Sequence, residues 1–208
     1  MLVLAADGSG SGFFIAPNLV ITNHHVVAGA ANGEVAIVGE GLDHPRTGRI
    51  IATTGDRGML APDFALVKVN DFNSNTTLSF TTQSQALQSV IATGYPALLL
   101  DADQNFHNLM QGDLTAMPAL VFSEGSVMAV QSGAGGIQVL AHSADISGGN
   151  SGGPLVDQCG RVVGINTLVA VDQEQSRNAG YALASTDLTA WLQSNGVTAT
   201  VHGDPCQP

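Results

Sequence analysis

The stretch that decides the fold of this chain is Gly148-Gly-Asn-Ser-Gly-Gly-Pro-Leu155, which sets one serine among glycines. Glycine on both sides of Ser151 leaves the main chain open to a substrate and tolerates φ values that other residues avoid. A tetrahedral oxyanion needs backbone N–H groups at about 3 Å, and such a loop can supply them. Ser151 is therefore the candidate nucleophile.

Two further segments carry the groups that a serine nucleophile needs. Leu19-Val-Ile-Thr-Asn-His-His-Val-Val27 places imidazoles at the end of an apolar strand, and Pro62-Asp-Phe-Ala-Leu-Val-Lys-Val69 places a carboxylate at the start of another. A serine hydroxyl is a weak nucleophile until a base removes its proton, and a third group must fix the tautomer of that base. The three segments together predict a catalytic triad in the order histidine, aspartate, serine.

This order is that of chymotrypsin and differs from the orders in subtilisin and the α/β-hydrolases. Motif by motif, the chain resembles the trypsin-like serine proteases of the chymotrypsin fold, and among them the bacterial HtrA-type branch. Thr22-Asn-His-His-Val26 matches the family's Thr-x-x-His-Val, which selects His25 as the base. Asp63 and Ser151 match the family's aspartate strand and its Gly-Asn-Ser-Gly-Gly-Pro motif, and Asp56 in a Gly-Asp-Arg-Gly turn is a rival carboxylate.

The pattern of apolar runs and turn residues is typical of an all-β sandwich or barrel. The resemblance makes this specific: two packed six-stranded antiparallel β-barrels with a short C-terminal helix. Residues 1–85 would form the N-terminal barrel, which carries His25 and Asp63, and residues 86–208 the C-terminal barrel with Ser151, the helix and the tail. The predicted strands are Gly12–Ile15, Leu19–Thr22, Glu34–Val38, Phe64–Val69, Val90–Thr93, Ser126–Val130, Gly136–Ala141, Leu155–Val156, Val162–Asn166 and Gly180–Leu183.

Three other segments carry structural expectations. A helix is predicted over Asp187–Gln193, capped by Ser185 or Thr186. Residues 97–119 are expected to be a long connection, which in compact domains is usually functional or mobile. The apolar start at residues 1–6 is too short for a membrane span and lacks the basic residues of a signal peptide, so we interpret it as an end left by processing or cloning.

The resemblance also implies the groups around the nucleophile. The main-chain N–H groups of Gly149 and Ser151 would form the oxyanion hole. Asp145, six residues before the serine, occupies the place of the carboxylate that binds Arg or Lys in trypsin-type relatives, whereas Ile146 resembles the apolar pocket of the HtrA-type branch. Asn166 stands where glutamate-specific relatives carry a histidine, which argues against acidic specificity. Asp145, Ile146, Asn166 and Thr167 form the predicted substrate-binding set.

Composition excludes several other functions. The net charge is −11 and the chain has only 11% charged residues, so anionic nucleic acids and membranes are unfavourable partners. No histidine, cysteine and carboxylate spacing indicates a metal, and no cofactor is expected. The predicted partner is a protein or peptide substrate, and a homo-oligomer is left open. The alternative function is a catalytically idle binding module on the same fold, because fold alone does not fix function.

The chain contains two cysteines. Cys159 and Cys206 could form a disulfide that pins the tail to the second barrel, in the extracytoplasmic, bacterial-type location (periplasmic or secreted) that the resemblance implies. Two unpaired thiols in a cytosolic protein are the other interpretation, and two cysteines do not exclude it.

Overall fold

The computed structural model describes residues 1–172 and 177–206. Its first seven strands are β1 (Leu2–Ala5), β2 (Gly8–Ser11), β3 (Phe13–Ala16), β4 (Leu19–Thr22), β5 (Glu34–Val38), β6 (Arg46–Thr53) and β7 (Ala65–Val69). They form one antiparallel sheet in the order β2-β1-β5-β6-β7-β4-β3. The two outermost strands of the sheet, β2 and β3, are consecutive in the chain, so the sheet curls into a half-barrel.

The remaining strands form a second sheet. They are β8 (Phe80–Thr81), β9 (Ser89–Gly94), β10 (Val121–Ser132), β11 (Gln138–His142), β12 (Pro154–Val156), β13 (Val162–Asp172), β14 (Arg177–Ala184) and β15 (Val201–His202). Their order is β12-β9-β10-β11-β14-β13-β8-β15, and a further pairing of β12 with β13 closes six of the strands into a barrel. The predicted all-β fold of two barrels is confirmed, with the first barrel open.

Apolar side chains form four buried clusters, because the strands alternate between inward and outward positions. Val20, Ile37 and Val67 belong to the core of the first sheet, and Leu140 and Leu155 to the core of the second. A third cluster joins residues of both sheets and of the C-terminal helix, among them Phe13, Ile21, Phe64, Val139, Leu183 and Leu188. This shared core holds the two sheets together, so groups from both can meet at their junction.

The helices are short except for the last. They are α1 (His24–Val27), α2 (Ala97–Leu100), α3 (Gln104–Met110) and α4 (Ser185–Ser194), with single 3-10 turns at Ala31–Gly33 and Ala134–Gly136. The predicted C-terminal helix is confirmed as α4, but its predicted cap is wrong. The N-cap residue is Ala184, and the Ser185 hydroxyl donates to the carbonyl of Thr81 because packing against β8 outweighs local capping.

Two segments have more structure than the sequence indicated. Leu2 and Val3 are fully buried in β1, which pairs with both β2 and β5, so the apolar start belongs to the first sheet. The connection at residues 97–119 contains α2 and α3, and the Asp103 carboxylate caps α3 by accepting from the backbone N–H groups of Asn105 and Phe106. The boundary at residues 85/86 stays a prediction, and β8 already belongs to the second sheet.

Candidate active site

His25 and Asp63 are in contact at one end of the paired strands β4 and β7 of the first sheet. His25 lies in α1 directly after β4, and Asp63 lies two residues before β7, which pairs with β4. His25 Nδ1 is 2.5 Å from Asp63 Oδ2, and the His25 backbone N–H donates to Asp63 Oδ1 at 3.0 Å. The buried Asn23 amide also donates to the Asp63 carbonyl at 2.7 Å. The carboxylate therefore fixes both the ring and the main chain of His25.

Thr167 of the second barrel also contacts this pair. Its hydroxyl donates to Asp63 Oδ2 at 3.1 Å. Burial raises the pKa of Asp63, but the hydrogen bonds and charge of His25, together with the bond from Thr167, outweigh burial and lower that pKa below its ordinary value. Asp63 is therefore ionised at neutral pH and can stabilise a protonated imidazole.

The Ser151 hydroxyl lies on the other side of Thr167. Ser151 Oγ donates to the Thr167 carbonyl at 3.1 Å. Among the hydrogen bonds of the described residues there is none from Ser151 Oγ to His25. Thr167 thus binds the Ser151 hydroxyl through its carbonyl and the Asp63 carboxylate through its hydroxyl.

In the loop before Ser151, the backbone carbonyls accept hydrogen bonds, whereas two backbone N–H groups have no acceptor among the described residues. The Gly148 carbonyl accepts from the Ala97 N–H at 2.7 Å, and the Asn150 carbonyl accepts from the Gly153 N–H at 2.9 Å. In a planar trans peptide the N–H points opposite to the carbonyl, so these bonds orient the N–H groups of Gly149 and Ser151. Neither N–H donates to any residue that the structure describes. Both are available to an oxyanion.

Gly149 has a conformation and surroundings that require glycine. Its φ is +95°, and a Cβ there would lie 2.4 Å from the Tyr95 carbonyl oxygen and 2.8 Å from the Ala97 nitrogen. The neighbouring Gly148 has no atom within 4 Å of an added Cβ. Nothing in the sequence distinguishes Gly148 from Gly149, whereas the structure shows that a side chain would clash at Gly149 but not at Gly148.

The predicted substrate-binding residues are placed differently from one another. Asp145 is exposed to solvent, whereas Ile146 is 5% exposed and packs in the core of the second barrel. Asn166 is fully buried, and its side-chain amide donates to the carbonyls of Gly153 and Pro154 at 3.2 Å. Thr167 contacts both Asp63 and Ser151. Asp145 therefore does not form the floor of a buried pocket.

A cleft of about 380 Å³ lies beside His25. Its lining includes Leu60 and Leu168, and also Asp56, whose carboxylate accepts from the Gly58 N–H within its own turn at 2.9 Å. A larger apolar cleft of about 670 Å³ lies elsewhere and contains none of the three predicted catalytic residues. The smaller cleft adjoins His25, Asp63 and Thr167 and is the candidate substrate cleft.

Cys159 and Cys206 are joined by a disulfide, with Cα atoms 5.8 Å apart. In the described part of the chain, these two residues and Asp157 form the only group of three potential metal ligands. A disulfide offers no thiolate, so this group has no metal-binding chemistry. None of the helices in residues 1–172 and 177–206 has the length and hydropathy of a membrane span.

His142 is fully buried at the end of β11 in the second barrel. Its ring packs on Gly180, where an added Cβ would lie 2.3 Å from Cε1. Burial lowers the pKa of His142 to about 4, so the ring is neutral at physiological pH. The sequence indicated only that this histidine is not a metal ligand.

Sequence reasoning missed the contacts of Ser11 and Asn23. Both side chains are fully buried, and each makes hydrogen bonds to residues far along the chain. The only sequence signal was their place in the segments Gly10–Ile15 and Thr22–Val26, because small polar residues rarely occupy a core unless they are hydrogen-bonded.

Comparisons with known proteins show the family to which the chain belongs. Residues 10–165 match the family of the trypsin-like peptidase domain. The chain is 30% identical over 93% of its length to uncharacterized protein y4bJ of Sinorhizobium fredii, covering 28% of that protein. It is 28% identical over 88% of its length to the serine protease Do-like HtrA of Bacillus subtilis, covering 38% of that protein. The chain thus spans roughly a third of these relatives.

Solved structures show the same fold. The crystal structure of the Rv3671c protease in its inactive form superposes with a TM-score of 0.68 at 22% identity, covering 94% of this chain and 88% of that one. The HtrA-type protease AlgW with a decapeptide superposes with a TM-score of 0.66 at 21% identity, covering 90% of this chain and 50% of that one. Taken with the family match over residues 10–165, these findings show that the chain belongs to the trypsin-like peptidase domain family, with relatives among the HtrA-type serine proteases.

Proposed function

We propose that this domain is a serine endopeptidase that hydrolyses peptide bonds through an acyl-enzyme on Ser151. The observation that carries the proposal is the contact of His25 with Asp63 at 2.5 Å, linked through Thr167 to Ser151. An oriented imidazole beside an ionised carboxylate is the base that a serine hydroxyl requires. No cofactor takes part in this chemistry.

The proposed catalytic cycle uses the three predicted catalytic residues and the two predicted oxyanion donors. Ser151 Oγ rotates from the Thr167 carbonyl towards His25 Nε2, gives up its proton to that nitrogen and attacks the substrate carbonyl. Asp63 stabilises the resulting imidazolium, and the N–H groups of Gly149 and Ser151 bind the oxyanion. His25 then protonates the leaving amine, and water repeats the attack on the ester to release the second product.

For the substrate, we propose a small apolar residue before the scissile bond. The exposure of Asp145 supports this choice, because a solvated carboxylate gives little preference for a cationic side chain. Ile146, the next residue, is apolar and buried. The substrate partner is a protein or peptide, and the disulfide supports an extracytoplasmic location, since such bonds persist in oxidising compartments.

The test is hydrolysis of fluorogenic peptides by the purified domain and by Ser151→Ala. We expect the variant to fold normally and to lose about 10⁶-fold in kcat, as for other triad serines. Undiminished hydrolysis by Ser151→Ala would overturn the assignment. Absence of hydrolysis by the unmodified domain on a broad peptide library would favour the idle binding module instead.

A further inference from the structure

Ser11 lies in the first sheet and is fully buried, and each of its polar atoms takes part in a hydrogen bond. Its Oγ accepts from the Tyr95 N–H at 2.9 Å and donates to the Gly149 carbonyl at 2.7 Å. Its own N–H donates to the Ser151 carbonyl at 2.7 Å, and its carbonyl accepts from the Thr22 hydroxyl at 2.7 Å. One residue thus joins both sheets at the nucleophile loop.

The carbonyls of the nucleophile loop show what Ser11 does there. Four consecutive carbonyls, at residues 148–151, all accept hydrogen bonds, and Ser11 is the donor to two of them, those of Gly149 and Ser151. The other two accept from the backbone N–H groups of Ala97 and Gly153. Two side-chain donors act on this run: the Ser147 hydroxyl reaches the Gly148 carbonyl at 3.4 Å, and the Ser11 hydroxyl is the donor to the Gly149 carbonyl at 2.7 Å, where a substitution can remove it.

The position of the Gly149 carbonyl matters because its peptide lies between the two unused N–H groups. The peptide that joins Gly149 to Asn150 links the two peptides that carry these N–H groups, so its orientation, through ψ of Gly149 and φ of Asn150, sets the position of one N–H relative to the other. A backbone donor displaced from the developing charge loses most of its effect on the transition state. The hydroxyl that binds this carbonyl therefore fixes the relative position of the two donors, while the bonds to the Gly148 and Asn150 carbonyls fix the direction of each.

We propose that Ser11 is a positioning residue, whose hydroxyl bridges Tyr95 and Gly149 and thereby fixes the oxyanion donors for the reaction. The inference rests on the proposed function of Ser151, and it adds a role for a residue of the first sheet. The Ser11 hydroxyl contacts neither the substrate nor the reacting atoms, and it acts through the carbonyl of Gly149.

The experiment compares Ser11→Ala with Ser9→Ala, a matched change on the same strand at an exposed position. For Ser11→Ala we expect kcat to fall about 10- to 100-fold with KM within about threefold, since a misaligned donor costs less than a missing one. Affinity for a peptidyl trifluoromethyl ketone, whose hemiketal needs the oxyanion donors, should fall by the same factor as kcat/KM. Ser9→Ala should match the unmodified domain in all three.

The outcomes separate the two proposals. A folded Ser11→Ala domain with kcat within twofold of the original, or with a loss confined to KM, overturns the role of Ser11 and leaves the serine endopeptidase intact. If the unmodified domain hydrolyses no peptide, the proposed function fails by itself. If Ser11→Ala does not fold, amide hydrogen exchange of Tyr95 in the unmodified domain decides: strong protection supports the bridge, and exchange at the rate of an exposed amide overturns it.

Discussion

Replacing Gly149 by alanine should damage catalysis far more than the same change at Gly148. At Gly149 the contact of the new Cβ with the Tyr95 oxygen, 2.4 Å, must open by about 0.6 Å or more. The φ of +95° adds about 1–2 kcal/mol of strain for a residue with a side chain. The least costly relief is movement of the loop, which withdraws the Gly149 N–H from the oxyanion.

The expected size follows from the loss of one oxyanion donor. Such a loss lowers kcat about 100- to 1000-fold, or about 3–4 kcal/mol in the barrier. KM should stay within about threefold, because the interaction forms mainly in the transition state. Gly148→Ala should keep kcat within about twofold, since its Cβ meets nothing within 4 Å.

The assay is steady-state hydrolysis of a fluorogenic peptide by both variants, with thermal unfolding as a check that each is folded. A folded Gly149→Ala domain that retains a third or more of the original kcat would refute the reasoning. Equal losses in the two variants would also refute it, because they would point to general loop rigidity instead of the particular surroundings of Gly149.

Three further predictions concern specificity and stability. Asp145→Asn should change the ratio of kcat/KM for Lys and Val substrates by less than about twofold. A tenfold fall in kcat/KM for the Lys substrate would instead show that this carboxylate binds the substrate side chain. Because the pKa of His142 is about 4 in the folded chain and about 6.5 for a histidine in an unfolded chain, the unfolded chain binds the proton first as pH falls. The free energy of unfolding should therefore drop by about 3 kcal/mol between pH 7 and pH 4; His142→Gln should lack that part of the slope in urea titrations, and equal slopes would contradict it. Replacing Cys159 and Cys206 together by serine should lower the free energy of unfolding by about 4 kcal/mol for a 47-residue separation, and a loss below about 1 kcal/mol would contradict the loop-closure estimate.

The strands with a clear apolar pattern could be predicted from sequence. Leu19–Thr22 and Glu34–Val38 have the predicted bounds in the structure, because Val and Ile runs between turn residues favour strands wherever they lie. Gly8–Ser11 and Arg46–Thr53 carry no such local signal and are strands because of their partners in the first sheet. These two strands form because they pair with strands elsewhere in the first sheet. A short window of sequence carries little information about such pairing.

The residues of the candidate site likewise fall into two groups, those that the sequence predicts and those whose contacts only the structure reveals. His25, Asp63 and Ser151 could be named in advance because chemistry demands those residue types and the motifs fix their order. The hydrogen bond from Thr167 to Asp63 spans 104 positions, and the one from Ser11 to Gly149 spans 138. Contacts of that range depend on how the two sheets pack, so the supporting groups emerged only from the structure.

The central claim, that His25 and Asp63 activate Ser151, is tested most directly by active-site labelling. The domain is treated with a fluorophosphonate, and the adduct is located by mass spectrometry of its peptides. We predict a single adduct on Ser151, formed at a rate that falls at least 1000-fold in His25→Ala, since the hydroxyl is a weak nucleophile without its base. Absence of the adduct, or labelling of Ser151 at the same rate without the imidazole, would contradict the account.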